Sequence, residues 1–150
     1  MALAVTEAEL HALLAGVAFT RQYGFRLHAL ADGECAIDVP FQEAFERPGA
    51  LVSGQVFMAA ADVAMWLALM TRLGKDDRSV TTDLSTAFLS AARREDFRCR
   101  ATILKLGRRQ IYGIAECRAP DSRLLTHHTV TYSRAAPSAG PSEHAPAWCS

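Results

Sequence analysis

The stretch from Gly54 to Thr71 limits what this chain can fold into more than any other. It reads Gly-Gln-Val-Phe-Met-Ala-Ala-Ala-Asp-Val-Ala-Met-Trp-Leu-Ala-Leu-Met-Thr, and Asp62 is its single charged residue. Ala, Leu and Met are among the best helix formers, and after Gly54 no Gly or Pro interrupts them. A helix that is apolar all round has to be buried, so the rest of the chain must wrap it. The apolar run reads as too short and too interrupted for a membrane span, which takes about 20 residues. The expectation is a core helix with one carboxylate in its middle.

That carboxylate needs an explanation, because an ionised Asp is rarely fully buried without partners. One reading makes Asp62 a cap, or the partner of an Arg. The sharper reading makes it line a site, since acids in apolar surroundings tend to mark chemistry. The helix start supports the second. Pro48-Gly49 punctuates the chain, and Ser53 stands as an N-cap before Gly54. Free N–H groups at a helix N-terminus bind anions and polarise carbonyls. Gly54 and Asp62 lie on the order of 12 Å apart along the axis. A substrate carbonyl at the helix start therefore reaches Asp62 only by lying along the helix side, by a bent approach, or through water.

Length and charge narrow the classes. A chain of 150 residues suits one domain with a real core. Acidic and basic residues balance at 16 each, which argues against a general nucleic-acid binder. Cys35, Cys99, Cys117 and Cys149 form no CxxC pair and read as small core residues of a reducing compartment. Glu7 and Glu9 come early, with no basic region ahead of an apolar block, so the expected location is cytoplasmic.

Along the chain, Thr6-Glu7-Ala8-Glu9 is a capping box that predicts a helix near 7–16. Residues 24–30 and 34–39 alternate around Asp32-Gly33 and predict a hairpin. Residues 41–53 read as a loop carrying Arg47. Residues 79–89, 97–106, 109–118 and 124–133 read as four successive strands joined by short turns, an antiparallel meander. In the first of them, alternation sets Val80, Thr82, Leu84, Thr86 and Phe88 on one face, and Thr81, Asp83, Ser85 and Ala87 on the other. The class is α+β, with a sheet wrapped around one long helix in a domain spanning 1–134. Residues 135–150 are Ala, Pro, Ser and Gly with little to bury, and read as a flexible tail. Association with a second copy would help cover so apolar a helix.

This order of elements resembles the hotdog fold, and within it the PaaI-like acyl-CoA thioesterases of the 4-hydroxybenzoyl-CoA class. The likeness covers about 34–133. It rests on Ser53-Gly54-Gln55 followed by apolar residues and Asp62-Val63-Ala64, on the strand Thr81 to Ala91, and on the turn Gly107-Arg108-Arg109. Several positions depart from the family pattern. Ser53 stands for the family His, Gln55 for the second Gly, Arg47 for an upstream Asn, and Ala91 for a Pro.

The resemblance implies roles. Asp62 would be general base or nucleophile on the thioester. Gly54, with the neighbourhood of Gln55, would offer the backbone N–H that polarises the thioester oxygen. Thr81, or less well Thr82, would orient water from the neighbouring subunit. Arg108 and Arg109, and further off Arg93, Arg94 and Lys105, would suit the phosphates of coenzyme A, with Ser53 and Arg47 beside the substrate. Coenzyme A would enter as part of the substrate, with no separate cofactor. The expected assembly is a homodimer or dimer of dimers, without nucleic acid or membrane partners. Trp66, Met65 and Met70 would suit an aryl or medium-length acyl group.

Other chemistries lack their residues. There is no Gly-x-Ser-x-Gly elbow, no dinucleotide fingerprint and no phosphate-binding Gly-rich loop. His127 and His128 are neighbours on a strand, so they point to opposite faces, cannot share a metal, and read as structural residues of an exposed strand. The alternative to an enzyme is a hotdog module that binds acyl-CoA without turning it over, suggested by the changes at Ser53 and Gln55.

Overall fold

The computed structural model describes residues 2–134, so the expected tail at 135–150 lies outside the described residues. The elements run α1 (Glu7–Gly16), α2 (Ala18–Tyr23), β1 (Arg26–Ala31), β2 (Glu34–Val39), a 3-10 turn (Glu43–Phe45), β3 (Glu46–Arg47), β4 (Leu51–Val52), α3 (Gly54–Leu73), β5 (Val80–Phe88), β6 (Phe97–Leu106), β7 (Gln110–Arg118) and β8 (Leu124–Ser133). The capping box forms as the sequence predicts. The Glu9 N–H donates to Thr6 Oγ1 at 3.1 Å, and the Thr6 N–H donates to Glu9 Oε2 at 2.9 Å.

Six strands make one antiparallel sheet in the order β1-β2-β6-β7-β8-β5, wrapped around α3 as the resemblance implies. One expectation fails. β5 does not pair with β6; it crosses to the far edge and pairs with β8. The connection is no hairpin. Its first residues, Leu89 and Ser90, donate to the Leu125 carbonyl, and its middle, at Ala92, accepts from the Val52 N–H. The segment 41–53 is more ordered than a bare loop, since β3 and β4, two residues each, pair as a small hairpin within it.

The core lies between α3 and the concave face of the sheet. Alternation decides which strand residues enter it: Cys35, Ile37 and Val39 from β2, Cys99 and Ala101 from β6, Ile111, Ala115 and Cys117 from β7. From α3, Met65, Leu67, Leu69 and Met70 are wholly buried, each worth about 1.5–3 kcal/mol of transfer free energy. Met65 and Met70 thus fill the core rather than an acyl pocket. Ala60, Ala61, Ala64 and Ala68 let the sheet approach the helix closely. Opposite Met65, β7 carries Gly113, where a Cβ would stand 2.4 Å from Met65 Cε and 2.5 Å from the Thr102 carbonyl. By length and composition α3 is apolar enough to cross a membrane, contrary to the sequence reading. Its surface is instead spent on the sheet: 67% of its most apolar window is buried.

Candidate functional site

One stripe of α3 escapes the sheet. Gln55 is exposed, and Met58, Ala59, Asp62 and Trp66 are half-buried. Steps of three or four residues, from Gln55 to Met58 and Ala59, from these to Asp62, and from Asp62 to Trp66, place them on one helix face. Asp62 lies midway along this stripe. Among the described residues no ion pair involves it. Two hydroxyls hold it instead. Thr81 Oγ1 donates to Asp62 Oδ1 at 2.6 Å, and the Tyr132 hydroxyl donates to the same oxygen at 2.7 Å. The Tyr132 hydroxyl is also 2.9 Å from the Asp62 main-chain carbonyl.

Thr81 reaches Asp62 because β5 is irregular. The register pairs Thr81 with Tyr132 and then Asp83 with Thr131, leaving Thr82 as an extra residue. Such a bulge re-aims the side chains on one side of it. Strict alternation puts Thr82 on the helix side and Thr81 outside; the bulge reverses them. Thr81 then shares the inner face with Leu84, Thr86 and Phe88, whose partners on β8 are Val130, His128 and Thr126. Thr82 does not line the site: its hydroxyl donates to the Thr131 carbonyl at 3.3 Å. The Thr81–Asp62 bond forms within one chain, whereas the resemblance implied a hydroxyl from a neighbouring one.

Tyr132 had no sequence signal beyond alternation, which marks it only as a core residue of β8. It is 3% exposed. Burial, and then the negative charge of Asp62 close by, push its hydroxyl well above the ordinary tyrosine range. It therefore stays protonated and able to donate.

At the helix start, Ser53 makes no side-chain cap bond to the first turn. Its hydroxyl donates to the Gln55 side-chain oxygen, and its N–H donates to the Phe45 carbonyl at 2.8 Å. The amides of Gly54 and Gln55 open the helix and have no intrahelical acceptor. The ring of Phe88 lies over Gly54, where a Cβ would meet it at 2.9 Å. β5 thus runs beside the first half of α3, touching it at Gly54 through Phe88 and at Asp62 through Thr81.

The remaining candidates lie apart from this line. Arg47 is exposed on β3. Arg108 and Arg109 are exposed at the β6–β7 turn. Arg109 lines a cavity of about 500 Å³ there with Lys105, Tyr112 and Ser133. Arg93 and Arg94 brace the segment 41–53, donating to the Gly49 carbonyl at 3.0 Å and to Glu46 at 2.6 Å. A larger cavity of about 640 Å³ lies on the outer face of the sheet, among Arg26, Asp38, Arg98, Arg100, Glu116 and Arg118. Neither cavity includes Asp62.

His127 and His128 do point to opposite faces. His127 sits outside, 3.2 Å from Glu116. His128, expected on an exposed strand, is wholly buried between Thr86 at 2.8 Å and Thr126 at 2.7 Å. It shares its parity on β8 with Val130 and Tyr132, and that parity faces the helix. Among the described residues no cluster of three or more His, Cys, Asp or Glu is placed to hold a metal.

The family model of the thioesterase superfamily matches residues 49–126, more than half of the chain. A candidate thioesterase of solved structure from a Silicibacter species is 32% identical, covers 91% of this chain and 96% of its own, and superposes with a TM-score of 0.81. A Saccharolobus solfataricus protein described as a candidate esterase is 28% identical over 95 residues, 63% of this chain and 67% of that protein. The PaaI protein from the phenylacetic acid degradation operon of Escherichia coli shares the fold. Its TM-score is 0.76 at 13% identity, over 85% of this chain and 91% of its own. The helix that carries Asp62 and the strand that carries Thr81 both fall inside the matched region, and the chain belongs to the thioesterase superfamily as a thioester hydrolase of the hotdog fold.

Proposed function

We propose that the protein hydrolyses the thioester of an aryl- or medium-chain acyl-CoA, as the 4-hydroxybenzoyl-CoA class does, with Asp62 as general base or nucleophile. One observation carries this reading: Asp62, braced by two hydroxyls and unpaired with any described cation, lies on the one stripe of α3 that the sheet leaves open. The acyl group lies along that stripe, against Met58, Ala59 and Trp66. Its carbonyl oxygen faces the Gly54 and Gln55 amides, where a donor aimed at developing charge is worth about 3–4 kcal/mol.

Acting as base, Asp62 takes a proton from a water as that water attacks the carbonyl carbon. Thr81 donates to Asp62 and keeps a lone pair with which to accept from the same water. The tetrahedral oxyanion collapses, the C–S bond breaks, and the proton on Asp62 passes to the departing thiolate. Ser53 and Gln55 shape the carbonyl end. Arg109, with Lys105 beside it and Arg108 next in sequence, suits the coenzyme A phosphates. Thr82 supports the bulge rather than the substrate.

The test is Asp62→Asn, assayed for thiol release on benzoyl-, 4-hydroxybenzoyl-, phenylacetyl- and C6–C12 acyl-CoA. Turnover should fall by about 10²–10⁴-fold while the circular dichroism spectrum is kept. Unchanged turnover in the folded variant would remove Asp62 from the chemistry. Tight acyl-CoA binding by the native protein with no thiol release would leave a binding module.

A further inference from the structure

We infer that Tyr132 is a positioning residue for this reaction: together with Thr81 it fills Asp62 Oδ1, so that Oδ2 is the oxygen that does the chemistry. The inference rests on the reading of Asp62 as base or nucleophile. A carboxylate oxygen offers two in-plane lone pairs. Thr81 Oγ1 at 2.6 Å and the Tyr132 hydroxyl at 2.7 Å occupy both on Oδ1. No described residue donates to Oδ2. The two oxygens of one side chain are therefore unequal, one tied inward and one left for water or substrate.

Tyr132 does more than add a bond. Its hydroxyl has one proton and two acceptors, Asp62 Oδ1 at 2.7 Å and the Asp62 carbonyl at 2.9 Å. The charged acceptor takes the stronger bond. The phenol thus lies wedged between the side chain and main chain of the same residue, which fixes the direction of the carboxyl group. When Asp62 takes up a proton it loses its charge, and the Tyr132 proton can turn to the carbonyl without any heavy atom moving. Burial and the charge of Asp62 keep the phenol protonated, with Asp77, after α3, adding in the same direction. Thr81, its register partner on β5, also contacts the hydroxyl and acts in the opposite direction.

Tyr132→Phe keeps the ring and removes only the hydroxyl. Its kcat should fall by about 10- to 100-fold, the order of loss that misplacement of a reacting group brings, with KM nearly unchanged. The acid limb of its pH–rate profile should move to higher pH, because a donor to the charged carboxylate is gone. Thr81→Val should move both quantities the same way, and Thr81→Ser should restore them. A side chain that merely packed the core would leave the acid limb where it was. Wild-type kcat and an unmoved limb in Tyr132→Phe, with Asp62→Asn inactive, would overturn the inference and spare the assignment of Asp62. An active Asp62→Asn would instead sink that assignment and this inference with it. If Tyr132→Phe does not fold, the Thr81 pair decides: no difference between Val and Ser in kcat or in the limb overturns the clamp.

Discussion

Two glycines on either side of the core set opposite limits on one extra methyl group. At Gly113 the Cβ would meet the Thr102 carbonyl at 2.5 Å, and main chain in mid-sheet cannot step aside. Gly113→Ala should cost about 1–3 kcal/mol as overpacking. At about 3 °C per kcal/mol for a chain this size, a thermal melt resolves the loss. At Gly54 the obstacle is the ring of Phe88, 58% exposed and free to swing away. Ala also suits a helix better than Gly, by about 1 kcal/mol in a helix interior and by less at a first residue such as Gly54. Gly54→Ala should therefore hold or raise the melting temperature. Its kcat/KM should fall, because the methyl and the displaced ring crowd the first-turn amides where the thioester oxygen is proposed to sit. A variant that lost stability as much as activity would place Gly54 in the packing rather than the site.

At the scale of elements, the bulge in β5 governs which hydroxyl serves Asp62. Deleting Thr82 joins Thr81 directly to Asp83 and leaves it opposite Tyr132 on the inner face, so ΔThr82 should keep most of the kcat that Thr81→Val loses. Thr82→Val, which keeps the extra residue, should stay within about threefold of wild type, as surface changes usually do. Assays of the three variants side by side separate the hydroxyl that faces Asp62 from the inserted residue beside it. The bulge also marks where the sequence stopped being legible. A capping box was enough to place α1 and an unbroken apolar run to place α3; regular alternation placed the buried faces of β2, β6 and β7. It could not show a single inserted residue, which leaves the composition of β5 unchanged and inverts the faces ahead of it. α2, six residues long, is too short to display a period. Tyr132 carried no signal, since an inward aromatic on a strand looks the same whether its hydroxyl meets solvent or a carboxylate. Asp62 was legible because charge in an apolar helix is costly enough to need a reason. The pairing of β5 with β8 was not, because a crossover is decided by contacts far apart in sequence.

At the scale of the whole molecule, the two edges of the sheet differ. β1 presents Arg26, the kind of charge that keeps an edge from pairing with another. β5 is nine residues long with Asp83 as its one charge, and Val80, Phe88 and the following Leu89 are 61%, 58% and 55% exposed. An edge so long and so weakly guarded favours pairing with the same edge of a second copy about a twofold axis. That pairing would lie next to Thr81 and Phe88, and so beside the open stripe of α3, walling a groove that one chain leaves unwalled. The protein should sediment at twice 16.3 kDa or four times that mass. Val80→Lys with Leu89→Lys places four cations at the seam of each dimer and touches neither Asp62 nor Tyr132. The double variant should shift toward 16.3 kDa at micromolar concentration, with kcat/KM falling as the dimer dissociates and recovering as protein concentration rises. Full activity in a species of 16.3 kDa would mean that one chain completes its own site, and the exposed edge would then need another explanation.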